Sequence, residues 1–245
     1  MTSTDLPAIQ LNPALDRADI AARLRRTGRV RIRDVFPDPV ARRLHQCLAT
    51  ELPWNTVFNE GDGKVHTLFP NQVAAMTADQ KSWLTNFVFE RARNGFQFIF
   101  NSYPVWDLAD QGKAPDLYVF RLLDFLNGPE FLSFIHEVSG IAGIVMADSQ
   151  ATLFQPHHFL TRHSDRDDAK GRRMAYVLNL TPAWRAEWGG LLEFLDEAGD
   201  VAEGFTPCFN TLNLFTVPAP HHVSYVTPFA AGGRYSVTGW LRDRR

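Results

Sequence analysis

The sequence predicts an α+β fold: helices first, then an antiparallel β-sandwich or jelly roll. Two observations carry this. Up to about residue 140, apolar residues recur at helical spacing between helix start and stop signals. From about residue 145 to 242, seven or so short apolar runs are separated by turn signals, the pattern of a sandwich or jelly roll. Helices followed by strands place the helices on an outer face of the sheet. We divide the chain into a mainly helical supporting region, residues 1–140, and a β-domain, residues 141–245, expected to form one compact unit.

Composition narrows the possibilities further. A 245-residue chain with 45% hydrophobic and 21% charged residues is an ordinary globular protein able to bury a full-sized core. A net charge of −2 gives no reason to expect nucleic acid or an anionic membrane as partner. No apolar run is long enough for a transmembrane helix, and the first ten residues lack the pattern of a secretory signal. Cys47 and Cys208 are too few and too isolated for a disulfide framework or a cysteine zinc site, so the reducing cytoplasm is the expected compartment. The 19 phenylalanines read as core.

In order along the chain, residues 1–12 read as a loosely held polar tail. Asp16 to Thr27 reads as a helix with Ile20 and Leu24 inward and Gly28 as stop. Arg29 to Phe36 alternates as a strand. The six arginines from Arg23 to Arg33 alternate with apolar residues, which favours solvated faces over a phosphate site. Asp38-Pro39 opens a helix to about Glu51, with Val40, Leu44 and Leu48 as its stripe. Residues 52–75, with Asn59, Gly61, Asp62 and Gly63, read as irregular: either a lid or substrate-contacting loop, or a surface hairpin.

Thr77 and Gln80 form a capping box for a helix to about Arg93, striped by Trp83, Phe87 and Glu90. The aromatic run Phe96, Phe98, Phe100, Tyr103 and Trp106 reads as core. Helices near Leu117 to Leu126 and Glu130 to Val138 are split by Asn127-Gly128-Pro129. Strands are expected at Gln150 to Phe154, Phe159 to Asp165, Arg173 to Leu180, Leu191 to Asp196, Thr211 to Val217, Val223 to Val226 and Tyr235 to Leu241. Gly189-Gly190 reads as a hairpin or bulge device, and Trp184 and Trp240 as packing residues.

The chemistry centres on Phe159 to Asp165. If that stretch is extended, His163 and Asp165 share a face, their Cα atoms roughly 6.6 Å apart, so both side chains can reach one cation. His-x-Asp alone is weak, since chance would supply it about 0.6 times in such a chain. Its place in the β-half strengthens it. A second histidine comes from His221-His222, of which only one can face inward. Two histidines and a carboxylate make the facial triad of non-haem Fe(II) oxygenases, which leaves positions open for cosubstrate and dioxygen. Arg234 and Ser236 then share a face of the last strand. A guanidinium fork with a hydroxyl beside it grips a carboxylate. A metal at one end of a small diacid and that grip at the other meet the needs of 2-oxoglutarate.

These residues, with Tyr176-Val177-Leu178-Asn179-Leu180, Gly189-Gly190-Leu191-Leu192, His221-His222-Val223 and Arg234-Tyr235-Ser236-Val237-Thr238-Gly239-Trp240, resemble the Fe(II)- and 2-oxoglutarate-dependent dioxygenases, most of all their prolyl 4-hydroxylase-like branch. The resemblance covers about a third of the chain strongly. It implies a double-stranded β-helix, a distorted jelly roll with the metal at one mouth. It also implies His163, Asp165 and His221 as iron ligands and catalytic centre, and Arg234 with Ser236 as the 2-oxoglutarate anchor. His221 is the distal ligand by the motif His-x-Val, while the pleat alone leaves His222 open. The implied reaction is hydroxylation of a C–H bond, with Fe(II), 2-oxoglutarate and O2 consumed to succinate and CO2, and ascorbate compatible as a reductant. A prolyl residue in a peptide or protein is the expected substrate; a free amino acid or other small molecule is the alternative, as is a non-catalytic metal-binding jelly roll. A zinc hydrolase ranks last because it gives Arg234 no role. The chain departs from many prolyl hydroxylases in carrying Phe154 where a cosubstrate-holding tyrosine is common. The helical region covers the sheet, supplies a homodimer contact, or does both.

Overall fold

The structure, a computed structural model, describes residues 6–61 and 64–244. The helical half begins as the sequence indicates. Helix α1 (Arg17–Thr27) is capped by Asp16, which accepts from the Asp19 amide, and is closed by Gly28 in the left-handed region. Strand β1 (Arg29–Arg33) buries Val30 and Ile32, and α2 (Asp38–Thr50) buries Val40, Leu44 and Leu48. Helices α3 (Pro70–Ala75), α4 (Ala78–Asn94), α5 (Val105–Asp110), α6 (Tyr118–Leu126) and α7 (Pro129–Ser139) follow.

Four expectations for this half need correction. Within the tail, Leu11 is buried, Leu6 and Ile9 pack on the core, and the Leu11 amide donates to Glu130 Oε1 at 2.8 Å. Residues 1–5 of that tail lie outside the described residues. Residues 52–75 are not irregular but take the hairpin alternative: β2 (Asn55–Gly61) and β3 (Lys64–Leu68) pair antiparallel, with Asp62 and Gly63 outside the described residues. Helix α4 keeps its Thr77–Gln80 capping box but turns Leu84 and Val88 inward, while Trp83 is 65% exposed and stacks on Phe87. Aliphatic residues at i and i+4 thus set the phase of α4, not the aromatic pair. The region expected as mainly helical also supplies β4 (Phe98–Tyr103), so four of its segments enter the sheet.

The remaining strands are β5 (Met146–Ala147), β6 (Gln150–Phe154), β7 (Phe159–His163), β8 (Arg172–Asn179), β9 (Leu192–Leu195), β10 (Val201–Phe205), β11 (Thr211–Thr216), β12 (His221–Val223) and β13 (Arg234–Arg242). They order as β1-β11-β8-β13-β6-β4-β7-β12-β9-β10, with β2 and β3 continuing from β4. Every pairing is antiparallel. Strand β4 is the hinge of this arrangement. Its Asn101–Tyr103 end pairs with β6 and its Phe98–Ile99 end with β7, so the sheet doubles back and encloses a cavity between its two halves. This is the jelly-roll architecture the sequence predicts.

Alternation along each strand divides the core. Val237 and Leu241 of β13, with Leu178 and Leu212, face the helices and join Leu44, Leu122 and Phe134 in the main core. The opposite face carries Phe100, Phe154 and Arg234 toward the cavity. The arginine segment is held against the sheet: Arg29 pairs with Glu203 at 2.5 Å, and Arg29 and Arg31 lie over the rings of Phe194 and Phe205. No helix among the described residues is long and apolar enough to cross a membrane.

Candidate metal and cosubstrate site

Strands β7 and β12 pair with His163 opposite His221, which places the two rings 4.1 Å apart between centroids. Asp165 lies between them. Its Oδ1 is 3.3 Å from His163 Nε2 and its Oδ2 is 3.4 Å from His221 Nε2. One ligand atom from each of the three residues lies within 4.8 Å of the others. The geometry differs from the simple strand argument in one respect: β7 ends at His163, and Asp165 adopts φ 59, in the left-handed region. A turn, not alternation, brings the carboxylate back over the histidines; an aspartate tolerates that conformation better than most residues.

Both imidazoles are oriented from behind. His163 Nδ1 is 3.0 Å from the Thr161 carbonyl and His221 Nδ1 is 2.7 Å from the Ala219 carbonyl. A carbonyl only accepts, so each Nδ1 carries a proton and each Nε2 is aimed at Asp165. Burial, reinforced by neighbouring His163, pushes His221 down to about 4, which keeps it neutral at physiological pH. Burial alone would raise Asp165, but its hydrogen bond with His163 and the nearby histidines outweigh that and hold it below the usual carboxylate range. Two imidazoles and one carboxylate in a fixed cluster fit a divalent first-row metal. His222 does not join them. It points away and pairs with Glu193 Oε2 at 2.6 Å.

The triad opens into a cavity of about 1000 Å³ that also contains Arg234. This guanidinium is 2% exposed and makes no hydrogen bond or ion pair to any described residue; its Nε is buried without a partner. Only the Phe154 ring, 5.0 Å away, faces it. Burial pulls it down to about 10, yet it stays charged at neutral pH. A buried, unpaired cation is costly and calls for an anion. The residues present therefore fit a small diacid held by metal at one end and Arg234 at the other. Ser236 is fully buried on the same strand face, but its hydroxyl is 3.4 Å from Asn179 Oδ1 and is not among the groups lining the cavity.

Gly189 and Gly190 frame the arginine end. Both have positive φ, and a Cβ on Gly189 would meet the Tyr225 carbonyl oxygen at 1.9 Å. Trp184 Nε1 donates to the Gly189 carbonyl at 2.8 Å, and its ring edge and the Arg234 stem both press on Gly190, at 3.3 and 3.4 Å from where a Cβ would stand. Phe98 and Phe100 are buried in an apolar cluster with Phe154, as expected of core, and also line the cavity; Phe96, expected as core, is 44% exposed and lines it too, as does Trp240. The signal for Trp240 was present: period two from Arg234 runs through Ser236 and Thr238 to Trp240. For the phenylalanines no such signal existed, because β4 was not recognised as a strand.

A jelly roll holding two histidines, a carboxylate and an unpaired arginine in one cavity has the donors for one divalent metal and one small diacid. Residues 149–242 match the family model of the 2OG-Fe(II) oxygenase superfamily, and this span contains all five residues discussed. Mouse prolyl 3-hydroxylase OGFOD1 is 27% identical over 135 residues, 53% of this chain and 24% of that protein. The aligned part thus spans about a quarter of that relative's length. Among solved structures, a Pseudomonas putida prolyl-4-hydroxylase superposes with TM-score 0.58 at 19% identity, covering 94% of this chain and 99% of that one. A Trichoplax adhaerens prolyl hydroxylase, in complex with a hypoxia inducible factor oxygen degradation domain peptide fragment, gives TM-score 0.57 at 16% identity, covering 93% and 89%. Residues 149–242 thus match the 2OG-Fe(II) oxygenase superfamily, whose members use Fe(II), 2-oxoglutarate and O2, and the chain is similar to prolyl hydroxylases in sequence and fold.

Proposed function

We propose that the chain hydroxylates a C–H bond of a prolyl residue in a peptide or protein. The observation that carries the reading is the pairing, in one cavity, of the His163–Asp165–His221 cluster with the unpaired guanidinium of Arg234. Support for a prolyl substrate comes from the relatives named prolyl hydroxylases and from a cavity much larger than a five-carbon diacid requires.

In this reading His163, Asp165 and His221 hold the iron, and the Thr161 and Ala219 carbonyls keep both imidazoles in the ligating tautomer. Arg234 takes the far carboxylate of 2-oxoglutarate through its planar fork. The Ser236 hydroxyl adds a donor by turning from Asn179. When bound, iron and 2-oxoglutarate supply the oxidising power: dioxygen is reduced, the cosubstrate is split to succinate and CO2, and the substrate C–H becomes C–OH. Phe98, Phe100 and Phe154 wall the cavity with apolar surface, which excludes water from the reacting centre.

The test is anaerobic titration of the apo-protein with Fe(II) and then 2-oxoglutarate, followed through the weak visible charge-transfer band of the chelate. The band is expected only with both present, and Asp165→Ala is expected to abolish it together with succinate formation. Full succinate production by Asp165→Ala would overturn the ligand assignment. Chelate formation and succinate release with no oxygen gained by any prolyl peptide tested would redirect the substrate to a small molecule.

A further inference from the structure

We propose that the mouth of the cavity receives a peptide segment carrying acidic residues beside the modified one. The inference rests on the hydroxylase reading above and adds a substrate class to it.

Three arginines from one stretch of chain line the cavity that holds the triad: Arg162, Arg166 and Arg172. Arg162 is exposed and makes no hydrogen bond or ion pair to any described residue. Arg166 reaches Asp168 at 3.1 Å, but both side chains are largely in water, where such a pair contributes little. Arg172 lies flat over Trp240, 3.5 Å from the ring centroid, and its Nε is buried without a partner. Apart from Asp165, the only carboxylate among the described cavity-lining residues is Asp107. The whole chain has a net charge of −2, so this concentration of positive charge is local to the mouth.

Exposed apolar side chains line the same cavity. Val65 and Phe96 are 56% and 44% exposed there, unusual for such side chains unless something covers them. Val65 belongs to β3, which pairs only with β2 among the described strands and so offers a free edge to an extended backbone. Arginines, exposed apolar side chains and a free strand edge around one cavity match an extended acidic peptide. A nucleic acid strand would use the arginines but not the strand edge.

Four blocked peptides test this on the anaerobic protein loaded with Fe(II) and 2-oxoglutarate. Each has a central proline or alanine, flanked by glutamates or by lysines, and binding is measured by calorimetry. The glutamate peptides are expected to bind about tenfold more tightly at low salt, the size expected of two or three partly exposed charge pairs, with the advantage shrinking as salt rises. The double substitution Arg162→Glu with Arg166→Glu is expected to reverse the preference, the chelate band reporting that the metal site is assembled. Equal binding, a lysine preference, no binding of any of the four, or a single-stranded oligonucleotide displacing the acidic peptide would each overturn the proposal. The proline-to-alanine comparison tests the underlying reading separately. Glutamate peptides of both kinds binding alike, neither gaining oxygen in air, would remove the prolyl assignment and leave the acidic preference standing.

Discussion

Replacing Arg234 by methionine separates the cosubstrate role from a structural one, because the two predict opposite signs. In the apo-protein the guanidinium is fully buried with no ion pair to any described residue, and burial pulls it down to about 10. That displacement corresponds to about 3 kcal/mol against the charged form. The Phe154 face returns about 1 kcal/mol of cation–π attraction. A methionine of similar length fills the space without the charge, so Arg234→Met is expected to stabilise the apo-protein by about 1–2 kcal/mol, a rise in Tm of roughly 2–6 °C at this chain length. Cosubstrate affinity moves the other way. Two charge-assisted hydrogen bonds to a carboxylate contribute about 3–4 kcal/mol, so the Kd for 2-oxoglutarate is expected to rise about 10²- to 10³-fold. Calorimetric melts without ligands and anaerobic titration of 2-oxoglutarate into the iron-loaded protein measure the two quantities. An apo-variant that melts several degrees lower and binds 2-oxoglutarate like the wild type would refute the reasoning.

Three further predictions follow from the same geometry. His221→Ala should abolish stoichiometric Fe(II) binding, whereas His222→Ala should retain it and lose about 1 kcal/mol of stability with the Glu193 pair; metal analysis and denaturant melts distinguish them. Gly189→Ala forces a Cβ against the Tyr225 carbonyl at positive φ and should destabilise by more than about 2 kcal/mol, while weakening 2-oxoglutarate binding through the wall beside Arg234. His158 accepts from the Gln155 amide through Nδ1, and burial pushes it down to about 4. The unfolded chain protonates it near 6.5, so its contribution is complete above that pH and is lost as pH falls toward 4, by up to about 3 kcal/mol. Urea melts of the apo-protein at pH 7 and pH 5 should show this loss, and His158→Gln should reduce it.

The parts of this fold legible from sequence are those in which local chemistry and tertiary need agree. The Asp16 and Thr77 caps, the Gly28 and Gly140 stops and the alternation of β13 each encode their element within a few residues. The sequence marks β2 and β3 only as one of two alternatives and β4 not at all, because their evidence is non-local. Phe98 and Phe100 alternate with Ile99 and Asn101, but Asn101 is buried too, accepting from Thr56 and donating to Gln155, so no polar face marks the strand. Helix α4 was misphased for a related reason. Trp83 satisfies itself by stacking on Phe87 at the surface, an arrangement hydrophobicity alone does not anticipate.

At the site the limit is different in kind. The residue types were readable because a metal and a diacid demand specific donors, but the reason His221 rather than His222 joins Asp165 lies in register. Pairing of β12 with β7 sets His221 opposite His163, and pairing with β9 sets His222 opposite Glu193. A slip of β12 by one residue would exchange the two histidines. The Glu193–His222 contact at 2.6 Å therefore does more than satisfy a polar pair: it opposes that slip, holding His221 on the face of His163 and Asp165 from the outside of the sheet.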